Sequence, residues 1–245
     1  MKNLINTIKN FIKKKLKSIL YFIELNFSLK NANKNPVDIF QEELSKDCYN
    51  YFKKDMKSSS IFFKENDIRN YSIVTAFKNK INTDDLFLEF GVFNGASINL
   101  FAKFLSNHSL DIYGFDSFEG LEEDWITGEY NPAGTFSLNK NPPKVSNNVK
   151  LVRGKVQETL ETFLTNNNKK KIIFVHMDMD TYVPTKFALI KIKPFLQKGS
   201  IILFDQFYGF PNWEKNEFKA FTEVFEKNEY EYVAFCSRQV AIKIL

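Results

Sequence analysis

Residues 86–95 read Leu86-Phe87-Leu88-Glu89-Phe90-Gly91-Val92-Phe93-Asn94-Gly95, and this stretch decides the fold. Five residues, apolar apart from Glu89, are closed by two glycines, the pattern of a short strand buried on both faces followed by a turn. Apolar residues then recur at Ile98, Phe101, Ala102 and Leu105, one face of a helix. A second strand over 111–116 delivers Asp116, 25 residues after Gly91, to the same edge of the sheet.

The alternation continues. Strands are predicted over 85–90, 111–116, 149–153, 172–178, 200–205, 230–236 and 239–244, with helices near 97–106, 156–165, 184–196 and 214–228. Alternation of this kind implies an α/β fold, a mainly parallel seven-stranded sheet with helices on both faces. Only Ser237 and Arg238 separate the last two strands. A parallel return needs a crossover of a dozen or more residues, so this link demands an antiparallel C-terminal hairpin. Ligands of such sheets bind at the carboxyl ends of the strands.

The turn narrows the ligand. Gly91 and Gly95 let a ligand approach the backbone with no Cβ in the way, and a carboxylate at Asp116 can accept both hydroxyls of a ribose. A dinucleotide fingerprint wants G-x-G-x-x-G. Here Phe93 stands where a phosphate-binding glycine would sit, and the Glu89 carboxylate repels a pyrophosphate while suiting the ammonium of a methionine-like tail. The combination points to S-adenosylmethionine, with Glu89, Phe90, Gly91, Gly95, Ser97, Asp116 and Ser117 as cofactor contacts and Gly154, Val156 and Gln157 flanking the adenine. A tight turn without a ligand is the alternative. A nicotinamide dehydrogenase is disfavoured by the missing glycine.

Two further strand ends carry chemistry. Residues 172–180 read Ile-Ile-Phe-Val-His-Met-Asp-Met-Asp, and residues 201–206 read Ile-Ile-Leu-Phe-Asp-Gln. Asp178, Asp180, Asp205 and Gln206 are all oxygen donors, the ligand type of hard divalent cations. Asp178, Asp205 and Gln206 are therefore the candidate ligands for magnesium or manganese. Asp178, which also belongs among the cofactor contacts, and Asp205 are candidate catalytic residues, since a bound metal would orient and acidify an acceptor hydroxyl. The alternative is that these carboxylates cap the following helices. His176 lies two residues before Asp178, on the same side of the strand, and is a candidate general base or a hydrogen-bonded core histidine. His108 reads as a helix cap.

The net charge of +5 is unevenly distributed. Residues 1–35 carry eight lysines against Glu24, a net +7, which leaves the remaining chain at −2. A mildly acidic body is a poor partner for nucleic acid. Leu4, Ile8, Phe11, Ile12, Leu16, Ile19, Leu20 and Ile23 follow a helical period. That basic amphipathic helix packs on the domain or a second subunit, or lies on an anionic membrane surface through residues 1–23. The chain divides into a helical extension (1–35), a helical cap (36–83) and the α/β domain (84–245). Asn31 to Pro36 is a polar break. Cys48 and Cys236 lack metal-ligand spacing and read as free thiols. The chain shows neither a signal-peptide pattern nor a run of ~20 apolar residues, so a cytoplasmic location is expected. Residues 117–147 form a long connection whose Trp125, Tyr130 and Phe136 suit a lid over a ligand.

The stretches 88–95, Tyr113-Gly114-Phe115-Asp116-Ser117-Phe118-Glu119-Gly120-Leu121, His176-Met177-Asp178-Met179-Asp180-Thr181-Tyr182, and Phe204-Asp205-Gln206 through Pro211-Asn212-Trp213 resemble the macrocin O-methyltransferase-type sugar methyltransferases. The likeness spans about residues 84–245. It implies the Rossmann-like fold of class I methyltransferases, S-adenosylmethionine, a magnesium-like metal, a sugar or nucleotide-linked sugar acceptor from surface-polysaccharide or natural-product synthesis, and a homodimer. Gln206 departs from the Asp or Glu common in that family. The lost charge weakens cation binding, yet an amide oxygen remains, similar to the Asp, Asp and Asn set of catechol O-methyltransferase-like enzymes. Two other functions stay open: methyl transfer to a non-sugar small molecule, and a membrane-peripheral scaffold that has lost activity.

Overall fold

A computed structural model describes residues 13, 15–23, 34–78, 82 and 84–245. Residues 15–23 are helical, whereas residues 4–12 and 14 of the predicted amphipathic helix and residues 31–33 of the polar break lie outside the described residues. The chain forms two compact units, Met1–Asp47 and Cys48–Leu245. Helix α1 (Pro36–Ser58) begins in the first and ends in the second.

The second unit is built on one eight-stranded sheet. Its elements after α1 are β1 (Ser60–Phe62), α2 (Glu65–Ala76), β2 (Leu86–Phe90), α3 (Ala96–Ser106), β3 (Ile112–Asp116), β4 (Trp125–Ile126), β5 (Tyr130–Asn131), β6 (Val149–Arg153), α4 (Val156–Asn166), β7 (Ile172–Met177), α5 (Tyr182–Ile192), β8 (Leu196–Phe204), α6 (Glu217–Val224), β9 (Tyr230–Cys236) and β10 (Gln239–Ile244). The strand order is β1-β9-β10-β8-β7-β2-β3-β6. All neighbours pair in parallel except β10, which runs antiparallel to both β8 and β9. The predicted hairpin is present, and the sheet is mostly parallel.

The sheet has one strand more than the seven expected. Residues 36–83 supply β1 besides two helices, and β1 pairs with β9 through Ser60↔Ala234 to Phe62↔Cys236. Three residues behind a serine run are too short to show a period. Boundaries also differ: the helix expected near 214–228 spans only Glu217–Val224. The helix expected to reach residue 196 ends at Ile192, followed by a 3-10 turn containing Pro194, whose missing N–H cannot continue the ladder. Strand β8 starts at Leu196, four residues before the expected start.

Burial falls from the centre of the sheet outward. Every residue of β2 and β7 is buried, whereas edge strand β6 is mostly exposed or half-buried. Phe87, Phe174, Ile98, Phe101, Ile201 and Leu203 meet in one core, and each fully buried side chain of this size contributes roughly 1.5–3 kcal/mol. A second aromatic cluster surrounds Phe52, which is fully buried. Its ring lies 5.3–6.2 Å from those of Phe207, Tyr208, Trp213, Phe218, Tyr232 and Phe235. The C-terminal half of α1 is thus part of the domain core. Cys48 and Cys236 are both buried, and neither takes part in a disulfide.

Phe52→Ala is expected to destabilise the chain by about 3–5 kcal/mol, the range for large-to-small changes at tightly packed aromatic sites. Urea unfolding followed by circular dichroism measures this, and a loss below about 1 kcal/mol would show that α1 is dispensable to the core.

Candidate active site

Chain order reverses between β2 and β7, since β3 and β6 lie to one side of β2 while β7 and β8 lie to the other. The carboxyl ends on either side of such a switch point open a crevice. A cavity of about 260 Å³ lies there, lined among others by Gly91, Phe93, Asp116, Ser117, Gly154, Val156, Asp178, Asp180 and Gln206. Seven of the residues expected from sequence therefore meet at one cavity: Gly91, Asp116, Ser117, Gly154, Val156, Asp178 and Gln206.

Gly91 has a reason besides ligand approach. Its φ is +84°, and a Cβ there would stand 1.8 Å from the Asp178 carbonyl oxygen. The turn after β2 and the strand end of β7 are pressed together. Asp178 N also donates to Phe90 O at 2.9 Å, closing the same junction. Asp116 braces the turn from the other side. Its Oδ2 accepts Val92 N and Phe93 N, each at 2.8 Å, and its Oδ1 accepts Phe118 N at 2.7 Å. Oδ2 is thereby filled while Oδ1 has room for a further bond, so Asp116 can stiffen the turn and still accept a hydroxyl.

Several of the expected contacts are not among the residues that line this cavity. Glu89 is fully buried. Its Oε1 accepts the Ser97 hydroxyl at 2.9 Å and its Oε2 lies 3.1 Å from His176 Nδ1. Phe90, Gly95, Ser97, Gln157, His176 and Asp205 also fall outside the lining. Gln157 donates to Glu122, itself a lining residue, at 2.9 Å. His176 is fully buried and packs edge-on against Phe101, which suits an interior positioning group rather than a base that touches an acceptor. His108 packs its ring against Phe77 and Phe104.

A buried polar chain links these groups: Ser97, Glu89, His176, Asp205 and Arg69. His176 Nε2 lies 3.7 Å from Asp205 Oδ1, an ion-pair contact too long for a hydrogen bond. Asp205 Oδ1 also accepts Arg69 Nη2 at 2.8 Å and the Gln239 amide. Burial works to raise the Asp205 carboxyl, but the His176 ring and the Arg69 guanidinium outweigh it and hold the carboxyl well below its usual range. Arg69 and Gln239 carry no local motif in the sequence, because the contacts come from α2 and β10, 136 and 34 residues away.

The cavity-facing carboxylates show the opposite pattern. Burial, then Asp205 and Asp180, push Asp178 well above the usual carboxylate range, and burial with Asp205 pushes Asp180 up to about 7. Asp180 stands at φ +60°. The helix cap is Thr181, without a side-chain capping bond, so these carboxylates do not serve as caps. Glu217, at the start of α6, is a third buried carboxyl raised mainly by burial, and it went unrecognised in the sequence. Its Oε2 accepts Gln206 N at 3.0 Å, fixing the turn after β8.

The donor set fits a hard divalent cation. Three carboxylates crowd one another, Gln206 Oε1 is buried without a hydrogen-bond partner, and His176, Asp178 and Asp205 each place one ligand atom within 4.8 Å of the others.

The long connection over 117–147 is built rather than plain loop. Strands β4 and β5 pair, Leu121 N donates to Thr135 O, and Gly134 N to Leu121 O. A Cβ on Gly120 would meet Thr135 O at 2.4 Å. Trp125 and Phe136 line the cavity and Tyr130 does not; Phe136 rests on Phe93.

Comparison with known proteins agrees with this geometry. Residues 88–207 match the family described as a methyltransferase domain. Among solved structures, the chain is similar to CalS11, described as a calicheamicin methyltransferase, with a TM-score of 0.57 and 21% identity over 86% of this chain and 94% of that one. A second structure of CalS11, described as a TDP-rhamnose 3'-O-methyltransferase in its apo form, gives a TM-score of 0.53 at 21% identity over 86% and 96%. The O-methyltransferase NovP gives 0.55 at 18% identity over 73% and 78%. At such identities the likeness shows the fold. No curated protein sequence matches the chain.

Replacing Arg69 by Met is expected to cost about 3–5 kcal/mol of stability, because it strips a buried carboxylate of its closest cation. In Arg69→Met/Asp205→Asn the loss should be less than the sum of the two single changes, with a coupling of about 0.5–3 kcal/mol. Strict additivity in denaturant unfolding would show that the pair contributes nothing.

Proposed function

We propose that this chain is an S-adenosylmethionine-dependent O-methyltransferase, its matched methyltransferase domain at residues 88–207, and that it methylates a hydroxyl of a sugar, a nucleotide-linked sugar or glycan precursor, at the carboxylate cluster on the floor of its cavity. The observation that carries the reading is the juxtaposition of two walls in one cavity. Gly91, Asp116, Gly154 and Val156 form one, and Asp178, Asp180 and Gln206 form the other. The sugar acceptor is supported by the motifs at 113–121, 176–182 and 204–213 and by the fold shared with CalS11, described as acting on TDP-rhamnose.

Asp116 would accept the ribose hydroxyls, and Gly154 to Val156 would flank the adenine. The methyl donor is already a strong electrophile, so the protein must bring donor and acceptor into line and remove one proton. Asp178 stands at the strand end held against Gly91, which puts it beside the donor. That position lets its carboxylate take the hydroxyl proton. Asp178, Asp205 through Oδ2, and Gln206 through Oε1 would hold magnesium or manganese, and Asp180 offers a further oxygen. Such an ion supplies a positive charge that orients the hydroxyl and lowers its pKa. Arg69 and His176 keep Asp205 ionised and in place. Trp125 and Phe136 cover the cavity and exclude water.

Asp178→Asn should leave the affinity for S-adenosylhomocysteine within about twofold by calorimetry and lower turnover by roughly 10²-fold or more. Asp116→Asn should instead weaken that affinity. EDTA should lower wild-type turnover, with magnesium or manganese restoring it. An EDTA-insensitive enzyme that still loses activity in Asp178→Asn would make Asp178 a base without a metal. Near wild-type turnover in that variant would place the reaction centre elsewhere.

A further inference from the structure

We propose that the basic N-terminal helix is a peripheral membrane anchor that recognises anionic lipid headgroups, an inference independent of the methyl acceptor. Each described residue of this helix, 13 and 15–23, is exposed. Leu16, Ile19, Leu20 and Ile23 are 52–59% exposed, and Tyr21 and Phe22 are each 66% exposed. An exposed apolar cluster of this density marks an interaction surface.

The arrangement of charge selects the occupant. At 3.6 residues per turn, Leu16, Ile19, Leu20 and Ile23 fall within one arc of about 100°. Lys13 and Lys17 border that arc on one side and Lys15 on the other. Long lysine side chains flanking an apolar face reach outward while their stems follow the apolar surface, the geometry of a helix lying in a lipid interface. The charge is also confined to this end: residues 1–35 carry +7 and the remaining chain −2. An anionic surface complements the helix. A second copy of the chain would bring like-charged helices together. Among the described residues no helix is long and apolar enough to cross a membrane, so the contact is peripheral.

The test is sedimentation of the full chain with phosphatidylcholine vesicles, with and without about one third phosphatidylglycerol. The account expects binding to the anionic vesicles at least about tenfold stronger than to the neutral ones, falling as salt screens the charges. A lysine near an anionic surface contributes about a fivefold factor, so Lys13→Gln/Lys15→Gln/Lys17→Gln should weaken binding by up to about a hundredfold with unchanged circular dichroism. Leu16→Ser/Ile19→Ser/Leu20→Ser should weaken it on both vesicle types. Equal binding to the two vesicle types, or none, overturns the proposal. So does a self-associated species in analytical ultracentrifugation that the serine changes dissolve while vesicle binding is absent.

Discussion

One carbonyl oxygen occupies the space where residue 91 would otherwise place a Cβ. The Asp178 carbonyl would lie 1.8 Å from that atom, and much of the site follows from the closeness. Glycine at position 91 lets β2 and β7 end against each other, so the turn that follows one strand and the carboxylate that ends the other meet at one cavity. A side chain there would drive the two apart, because backbone cannot yield as a flexible side chain can. Asp116 then locks the turn through the backbone amides of Val92 and Phe93. The residues proposed for the donor and the acceptor are placed relative to each other by backbone contacts, the most rigid means a sheet offers.

Charge is handled in two layers. The layer behind the wall is compensated: Asp205 is paired with Arg69 and His176, and Glu89 with Ser97 and His176. The layer facing the cavity is not. Burial and the neighbouring carboxylates raise the proton affinities of Asp178 and Asp180, and the Gln206 Oε1 beside them is buried without a hydrogen-bond partner. A structure that needed only stability would not concentrate like charges this way, since buried charge without a partner is costly. In the proposed reaction this is where positive charge, a metal ion or an abstracted proton, would be received.

Local patterns carried much of this into the sequence. The buried runs at 86–90 and 172–177, the hairpin forced by Ser237 and Arg238, and the strand-end positions of Asp116, Asp178 and Asp205 all follow from periods and turn residues. What escaped depends on distant pairing. Strand β1 is too short to show a period and exists because β9 offers it an edge. Arg69 and Gln239 become site residues only because the topology carries α2 and β10 to Asp205. Glu217 looks like an ordinary acidic residue in a helix's first turn until β8 ends against it. Glu89 and His176 were recognisable as special, but one strand cannot reveal that they face each other at 3.1 Å within the wall rather than toward a ligand.

The central claim is that one cavity joins a nucleoside wall to a carboxylate wall. A crystal structure of the chain grown with S-adenosylhomocysteine and manganese tests it most directly. The account predicts ribose hydroxyls on Asp116, adenine against Gly154–Val156, the sulfur turned toward Asp178, and an anomalous manganese peak among Asp178, Asp205 and Gln206. Nucleoside density away from Asp116 would contradict it, as would a sulfur pointing away from the carboxylate cluster.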